Sequence, residues 1–313
     1  MRSTTIVRSL LTAATAASGA LASCAGYSSS TTTCVVESEN IGGTNYNVQW
    51  YLPNGTPSAL MLVQHGFSRS CKTLLNTSKA IAEKGIMVFC IEADMTAGNP
   101  ALGNTVGDVL SARTLTPPGG RSLPVNYIVG GHSAGGHFAS AVGARLVVNG
   151  YANLKGAILF DAVAAEGFTA NLQAISASGS RPVLQIAARP SVINLFNNAF
   201  GALASLGADF VGIQLVWSSY GAGIAPLGGS CHIDAEGDNT DIIGIAGAGC
   251  SPNDTQVARL RDFSSIWAKD MATGSYTATH WCGNSDDLST CGSAAMALLG
   301  GNLPLAAVIP NSA

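Results

Sequence analysis

Val-Asn-Tyr-Ile-Val-Gly-Gly-His-Ser-Ala-Gly-Gly-His-Phe-Ala-Ser-Ala-Val-Gly-Ala-Arg-Leu-Val-Val-Asn, residues 125–149, is the stretch from which the rest of the chain is read. A short apolar strand, Val125 to Val129, runs into Gly131-His132-Ser133-Ala134-Gly135, and a small-residue helix follows, closed by Gly150. This sets a G-x-S-x-G between a strand and a helix, the context in which that pattern carries meaning. A serine on so sharp a turn needs strained backbone geometry, with glycines on either side where a Cβ would clash. The hydroxyl then projects from a sheet edge with a helix N-terminus behind it, which favours negative charge. Ser133 is expected to be a nucleophile.

A serine hydroxyl attacks only when a base takes its proton and a carboxylate orients that base. Where the serine stands on such a turn, the chain order is serine, acid, histidine, with both partners in loops after later strands. Five histidines are present, and His65, His132 and His137 lie beside the turns or inside the following helix, where a structural hydrogen-bonding role is expected. His232, in Gly-Gly-Ser-Cys-His-Ile-Asp after the last strand, stands where the base belongs. His280 lies beyond the closing helix, in the tail. Asp161 ends the strand Ala157 to Phe160, whereas the next strand ends Ala187-Ala188-Arg189-Pro190 and offers no acid there. Asp161 is therefore the expected acid. The developing oxyanion needs two backbone N–H donors, which Ala134 and Phe67, in His65-Gly66-Phe67, are placed to supply.

Outward from this centre, the expected elements alternate. Strands are expected near 34–38 and 46–52, then Ala59 to Gln64, a helix 72–84, strand Ile86 to Ile91 and a helix 102–113. After the nucleophile helix come strands 156–160 and 182–187, a helix near 191–205, strand 210–217, a long loop and a final helix 253–271. Unbroken apolar runs such as Ala59 to Gln64 read as buried strands of a parallel sheet. The expected fold is α/β: one doubly wound, mostly parallel sheet with helices on both faces, in a single domain from 34 to 313. Residues 24–33 read as a flexible N-terminal tail, and the segment from Gly274 onward as irregular. Only about 20 residues separate strands 156–160 and 182–187, too few for a large helical lid.

Charged residues make up 11% of the 313, against about 25% in an average soluble protein, and the net charge is −3. Nothing here suits a nucleic-acid partner or a basic membrane-binding face. Arg2 and Arg8, the apolar and small residues of 9–22, and Ala20-Leu21-Ala22 form an export signal with an A-x-A cleavage site over residues 1–23. Leu21-Ala22-Ser23-Cys24 also resembles a lipobox, in which Cys24 would carry a lipid anchor. Eight cysteines favour secretion to the medium or periplasm with a disulfide framework, since lipidating Cys24 would strand one thiol. Topology brings Cys71 and Cys90 to the catalytic edge, Cys231 and Cys250 bracket the His232 loop, Cys282 and Cys291 enclose a short tail loop, and Cys24 remains for Cys34. The acidic run Asp234, Glu236, Asp238 and Asp241 lacks calcium-loop spacing and is expected to be a solvated loop. No Cys/His spacing fits a metal and no glycine-rich loop fits a nucleotide, so no cofactor is expected.

The segment Leu60 to Glu92, with His65-Gly66-Phe67 and Ile-Ala-Glu-Lys-Gly-Ile-Met-Val-Phe-Cys, resembles the α/β-hydrolases of the chlorophyllase, platelet-activating-factor acetylhydrolase and dienelactone-hydrolase-like group. It is also similar to the secreted cutinase-like polyester hydrolases. Gly131 to Gly136, Phe160-Asp161-Ala162-Val163 and His232-Ile233-Asp234 match the chlorophyllase-like branch, and the resemblance spans roughly residues 45–272. It implies the same triad of Ser133, Asp161 and His232. Ala162-Val163-Ala164-Ala165 keeps only part of that branch's Asp-Pro-Val-Asp-Gly, so the branch's substrate does not carry over. The expectation is an exported, monomeric serine esterase acting on small or polymeric esters through an acyl-enzyme. The alternatives are a lipase or amidase with the same triad, or a non-catalytic cell-surface binding protein on a hydrolase scaffold.

Overall fold

Alternation along β3 (Ala59–Gln64) shows how the chain builds its core. In a computed structural model describing residues 24–221 and 224–309, Leu60 and Leu62 face one apolar layer, while Met61 and Val63 face the other. Successive side chains of a strand point to opposite faces, so an unbroken apolar run needs cover on both. The export signal expected over residues 1–23 lies outside the described residues.

The chain opens with β1 (Thr32–Ile41) and β2 (Thr44–Pro53), an antiparallel pair turning at Gly42-Gly43, followed by β3. α1 (Leu75–Ala82) leads to β4 (Ile86–Ile91), α2 (Pro100–Ala112) to β5 (Tyr127–His132), and α3 (Ala134–Val148) to β6 (Leu154–Phe160). Then come α4 (Phe168–Ser176), β7 (Val183–Ala187), α5 (Phe200–Ala204) and β8 (Gly212–Leu215). A hairpin of β9 (Trp217–Tyr220) and β10 (Pro226–Gly229) precedes α6 (Ile242–Ala248) and the long α7 (Asp254–Thr273). The described chain closes with α8 (Ser293–Leu299) and β11 (Ala306–Val308).

Nine strands form one sheet in the order β1-β2-β4-β3-β5-β6-β7-β8-β11. The six from β4 to β8 run parallel, flanked by antiparallel strands at both edges. Val106 and Leu110 of α2, Phe138 of α3, Leu172 of α4 and Leu203 of α5 cover one face. Ile81 of α1, Trp267 of α7 and Leu298 of α8 cover the other. This is the doubly wound arrangement read from the sequence, and it brings the loops after β3, β5, β6, β7 and β8 to one edge.

Three segments differ from expectation. The N-terminal tail of 24–33 is tied down: Cys24 is buried and joined to Cys34, Cys34 N–H donates to Ser28 Oγ at 2.9 Å, and β1 starts at Thr32. The helix expected near 191–205 shrinks to α5, because Leu195, Phe196 and Asn197 take φ of 49°, 54° and 59°, outside a right-handed helix. The Asn194 side chain organises that turn by accepting from the N–H groups of Ser191 and Asn197. The tail after Gly274 is not irregular throughout: α8 packs beneath the sheet, and β11 pairs Ala306 with Leu215 at the edge. A three-residue strand is too short for periodicity to register.

Candidate active site

Ser133 sits between β5 and α3 with φ 56° and ψ −126°, a conformation costly for a residue with a Cβ. Its N–H donates to Phe160 O on β6 at 3.2 Å, which pins the turn to the neighbouring strand. The turn also presses against the loop after β3: a Cβ at Gly135 would lie 2.2 Å from the His65 carbonyl oxygen, so only glycine fits. Ser133 occupies the N-cap of α3, yet its hydroxyl does not cap the helix. The hydroxyl is left to the cavity that Ser133 lines.

His232 opens a short 3₁₀ turn after Cys231, and its Nδ1 stands 2.6 Å from Asp161 Oδ2. Asp161 directly follows β6, with φ 44°, and both groups are buried. The loop after β7, which carries no acid, serves this carboxylate in another way. Ala188 N–H donates to Oδ1 at 3.0 Å and Asn194 Nδ2 to Oδ2 at 3.0 Å. With three donors on its two oxygens the carboxylate cannot swing, and Nδ1–H of His232 is the proton it holds. The remaining ring nitrogen, Nε2, then carries the lone pair, on a residue that lines the same cavity as Ser133.

Ala134 opens α3, and Phe67 lies in the loop after β3. His65 Nδ1 and Arg69 N–H both donate to the Gly66 carbonyl, at 2.9 and 3.2 Å, fixing the peptide just before the Phe67–Ser68 turn. Among the described residues, neither the Phe67 nor the Ala134 N–H donates to a protein acceptor.

Beside His232 lies a polar cluster whose pairing the sequence does not reveal, and Arg69, His132 and Glu236 of this cluster also line the cavity. His132 Nε2 bonds the His232 carbonyl at 2.8 Å, and the two rings stand 4.7 Å apart between centroids. Burial, and next the neighbouring His232, push the His132 imidazole down to about 4, so it is neutral near neutral pH. Its Nδ1 is 3.8 Å from Glu236 Oε1 and has no hydrogen bond. Glu236 is fully buried and held bidentately by Arg69, Nε at 2.7 Å and Nη2 at 2.6 Å, with Thr240 Oγ1 at 2.7 Å. Arg69 also reaches Asp241, whose carboxylate accepts from Gly244 N–H at the start of α6.

The acidic run is therefore not a solvated loop. Asp234 is buried, its carboxylate accepting from the N–H groups of Cys231 and Asn253, and burial pushes it up to about 7. Asp238 pairs with Arg261, and only Asp238 and Asp241 reach solvent. Among the described residues no group of three or more His, Cys, Asp or Glu is arranged to hold a metal. His137 departs from its expected hydrogen-bonding role: both ring nitrogens are buried without partners, and the ring packs against Phe168. His280 bonds Asp262 of α7 at 2.9 Å, outside the cavity, tying the tail to that helix.

The cavity holding Ser133 and His232 measures about 480 Å³. Val163, Val192, Ile193, Leu195, Ile233 and Ile243 make its wall largely apolar. Helix α6 is inverted relative to an ordinary surface helix. It buries Gly244 and leaves Ile242 81% and Ile243 66% exposed, and the exposed Phe67 lines the same cavity as Ile243. Neither residues 190–208 nor 242–253 contain a charged side chain.

The disulfides are Cys24–Cys34, Cys71–Cys90, Cys231–Cys250 and Cys282–Cys291. Cys231–Cys250 closes the segment that carries both His232 and α6. No helix among the described residues is long and apolar enough to cross a membrane.

No protein-family model matches the sequence, and no curated protein matches it. Among solved structures, carboxyl esterase 2 of the mycorrhizal fungus Tuber melanosporum is similar with a TM-score of 0.52 at 16% identity, over 78% of this chain and 87% of that one. A dienelactone hydrolase from Anabaena variabilis gives a TM-score of 0.46 at 16% identity, over 59% of this chain and 88% of that one. At such identity the first of these likenesses speaks for the fold.

Proposed function

The chain has the α/β-hydrolase fold, and on that fold we propose that it is an exported serine hydrolase cleaving carboxylic esters through an acyl-enzyme. The observation that carries this reading is the 2.6 Å contact between His232 Nδ1 and Asp161, on a histidine sharing its cavity with the strained Ser133. Ser133 Oγ attacks the ester carbonyl carbon while His232 Nε2 takes its proton. The carbonyl oxygen becomes an oxyanion facing the Phe67 N–H of the loop after β3 and the Ala134 N–H at the start of α3, where the helix favours negative charge. Collapse breaks the bond to the alcohol, which leaves with the proton from His232. Water then attacks the acyl-serine with His232 again as base, releasing the acid and restoring the hydroxyl. Asp161 stabilises the imidazolium formed in each half.

The apolar wall favours an uncharged acyl group, and 480 Å³ lies within the range of small-molecule sites. Four disulfides suit an oxidising compartment, in keeping with the export signal expected over residues 1–23. The single-domain reading accords with one sheet and two continuous apolar layers.

The test is turnover of p-nitrophenyl butyrate by the secreted protein and by Ser133→Ala, with the matching anilide in parallel. The reading predicts ester turnover by the parent, little on the anilide, and none above background in the variant. A parent protein that binds but does not cleave the ester would favour a binding role and overturn the proposal.

A further inference from the structure

We propose that His132, the residue immediately before the nucleophile, is a positioning residue that sets where the base stands relative to Ser133. This rests on the triad reading above. His132 and Ser133 leave the end of β5 in succession and both border the cavity, the His132 ring buried and Ser133 half-buried. The His132 Nε2–H donates to the His232 carbonyl at 2.8 Å. Nucleophile and base are thus linked by one peptide unit, one side chain and one hydrogen bond. The base is held at two points: its ring by Asp161, and its main chain by the nucleophile's own turn.

The chemistry of the contact fixes the state of His132. A carbonyl only accepts, so the proton lies on Nε2. The ring is buried beside a histidine that becomes cationic in each catalytic half, and a second positive charge there would be repelled. A neutral donor holds the loop without competing for the proton. The facing carboxylate, Glu236, is already taken up by Arg69 and Thr240 and makes no hydrogen bond to the His132 ring. Asp161 and Asp234 are further charged groups near the base loop. His132 therefore acts through the position of the loop and does not relay protons.

The amide nitrogen of glutamine lies as many bonds from Cα as His Nε2 does, whereas that of asparagine falls one bond short. Full-length His132→Gln and His132→Asn are both polar and separate reach from packing. The measurements are kcat and KM on p-nitrophenyl butyrate, and amide hydrogen exchange over residues 231–236. His132→Asn is expected to lose about 100-fold in kcat, as a misplaced catalytic group does, with KM changed less than about threefold. Exchange in the base loop is expected to accelerate with it. His132→Gln is expected to recover most of the rate and of the protection. Equal losses in both variants, unchanged exchange in His132→Asn, or parent-like kcat in His132→Asn would each overturn the proposal. A parent protein without esterase activity would sink the triad reading instead, and the exchange comparison would still decide whether His132 anchors the loop.

Discussion

Asn194 Nδ2 stands 3.0 Å from Asp161 Oδ2, the same oxygen that accepts from His232 Nδ1 at 2.6 Å. The loop after β7, which has no carboxylate of its own, thus supports the carboxylate at the end of the neighbouring strand. Asp161→Asn is expected to lower ester turnover by about 10⁴-fold, the scale seen when the orienting aspartate of the chymotrypsin triad is changed to asparagine. Asn194→Ala leaves the carboxylate one donor short, and a hydrogen bond to a charged group contributes about 1.5–3 kcal/mol. Its expected signature is a smaller fall in kcat together with a lowered denaturation midpoint. Parent-like rates in Asp161→Asn would point to Asp234 as the acid instead.

Two buried groups push stability in opposite directions with pH. His132 is held down to about 4, below its unfolded value of about 6.5, so the unfolded chain binds more protons between these limits. Its contribution is present above that window and is lost as pH falls through it. Asp234 is pushed up to about 7 from an unfolded value of about 3.9, so the native state binds more protons there. Its contribution is full at low pH and is lost as pH rises toward 7. The melting temperature of His132→Gln minus that of the parent is therefore expected to rise as pH falls from 6.5 to 4. The same difference for Asp234→Asn is expected to fall over pH 7 to 4. Differences flat with pH would refute the assignment.

Cys231–Cys250 restrains the segment carrying His232, joining positions 19 apart in the sequence. On the chain-entropy treatment such a closure contributes about 3 kcal/mol. Replacing both cysteines by serine is expected to reduce kcat under conditions where circular dichroism shows the sheet still folded. Loss of activity only in step with global unfolding would contradict this.

Ile243 of α6 lines the cavity, and its exposed chain neighbour Ile242 lies in the same segment without charge. Full burial of such a side chain is worth about 1.5–3 kcal/mol, so covering even part of Ile242 and Ile243 has a measurable effect. Ile242→Ser combined with Ile243→Ser is expected to weaken turnover of emulsified or polymeric esters by about 10-fold, the equivalent of roughly 1.4 kcal/mol. Soluble p-nitrophenyl acetate, too small to reach the rim, is expected to be turned over as by the parent. Equal losses on both substrates would show instead that α6 shapes the catalytic centre.

The sheet was legible because its signals are local. Apolar runs such as Ala59 to Gln64 and Ile86 to Ile91 read directly as buried parallel strands, and the glycines around Ser133 mark the turn. The contact between Asp161 and His232 spans 71 residues, yet it could be anticipated because chain order and strand ends restrict the choice. The supporting groups lacked such a filter. Asn194 lies in a mixed apolar and polar run, 191–198, whose left-handed turn residues are not glycines, so the sequence reads as helix there. Arg69 and Glu236 are 167 residues apart, and an acidic cluster in a glycine-rich loop has the composition of a solvated segment. Only the packing of α6 and the base loop against the turn after β3 reveals that Glu236 is buried and paired.

The central claim, that Ser133 forms the acyl-enzyme, is tested most directly by trapping it. Acid quench during the first turnovers of p-nitrophenyl butyrate, followed by intact-mass analysis and peptide mapping, is expected to find one butyryl group on the peptide containing Ser133. Ser133→Ala is expected to carry none. A butyryl group on any other residue, or steady ester turnover by Ser133→Ala, would contradict the account.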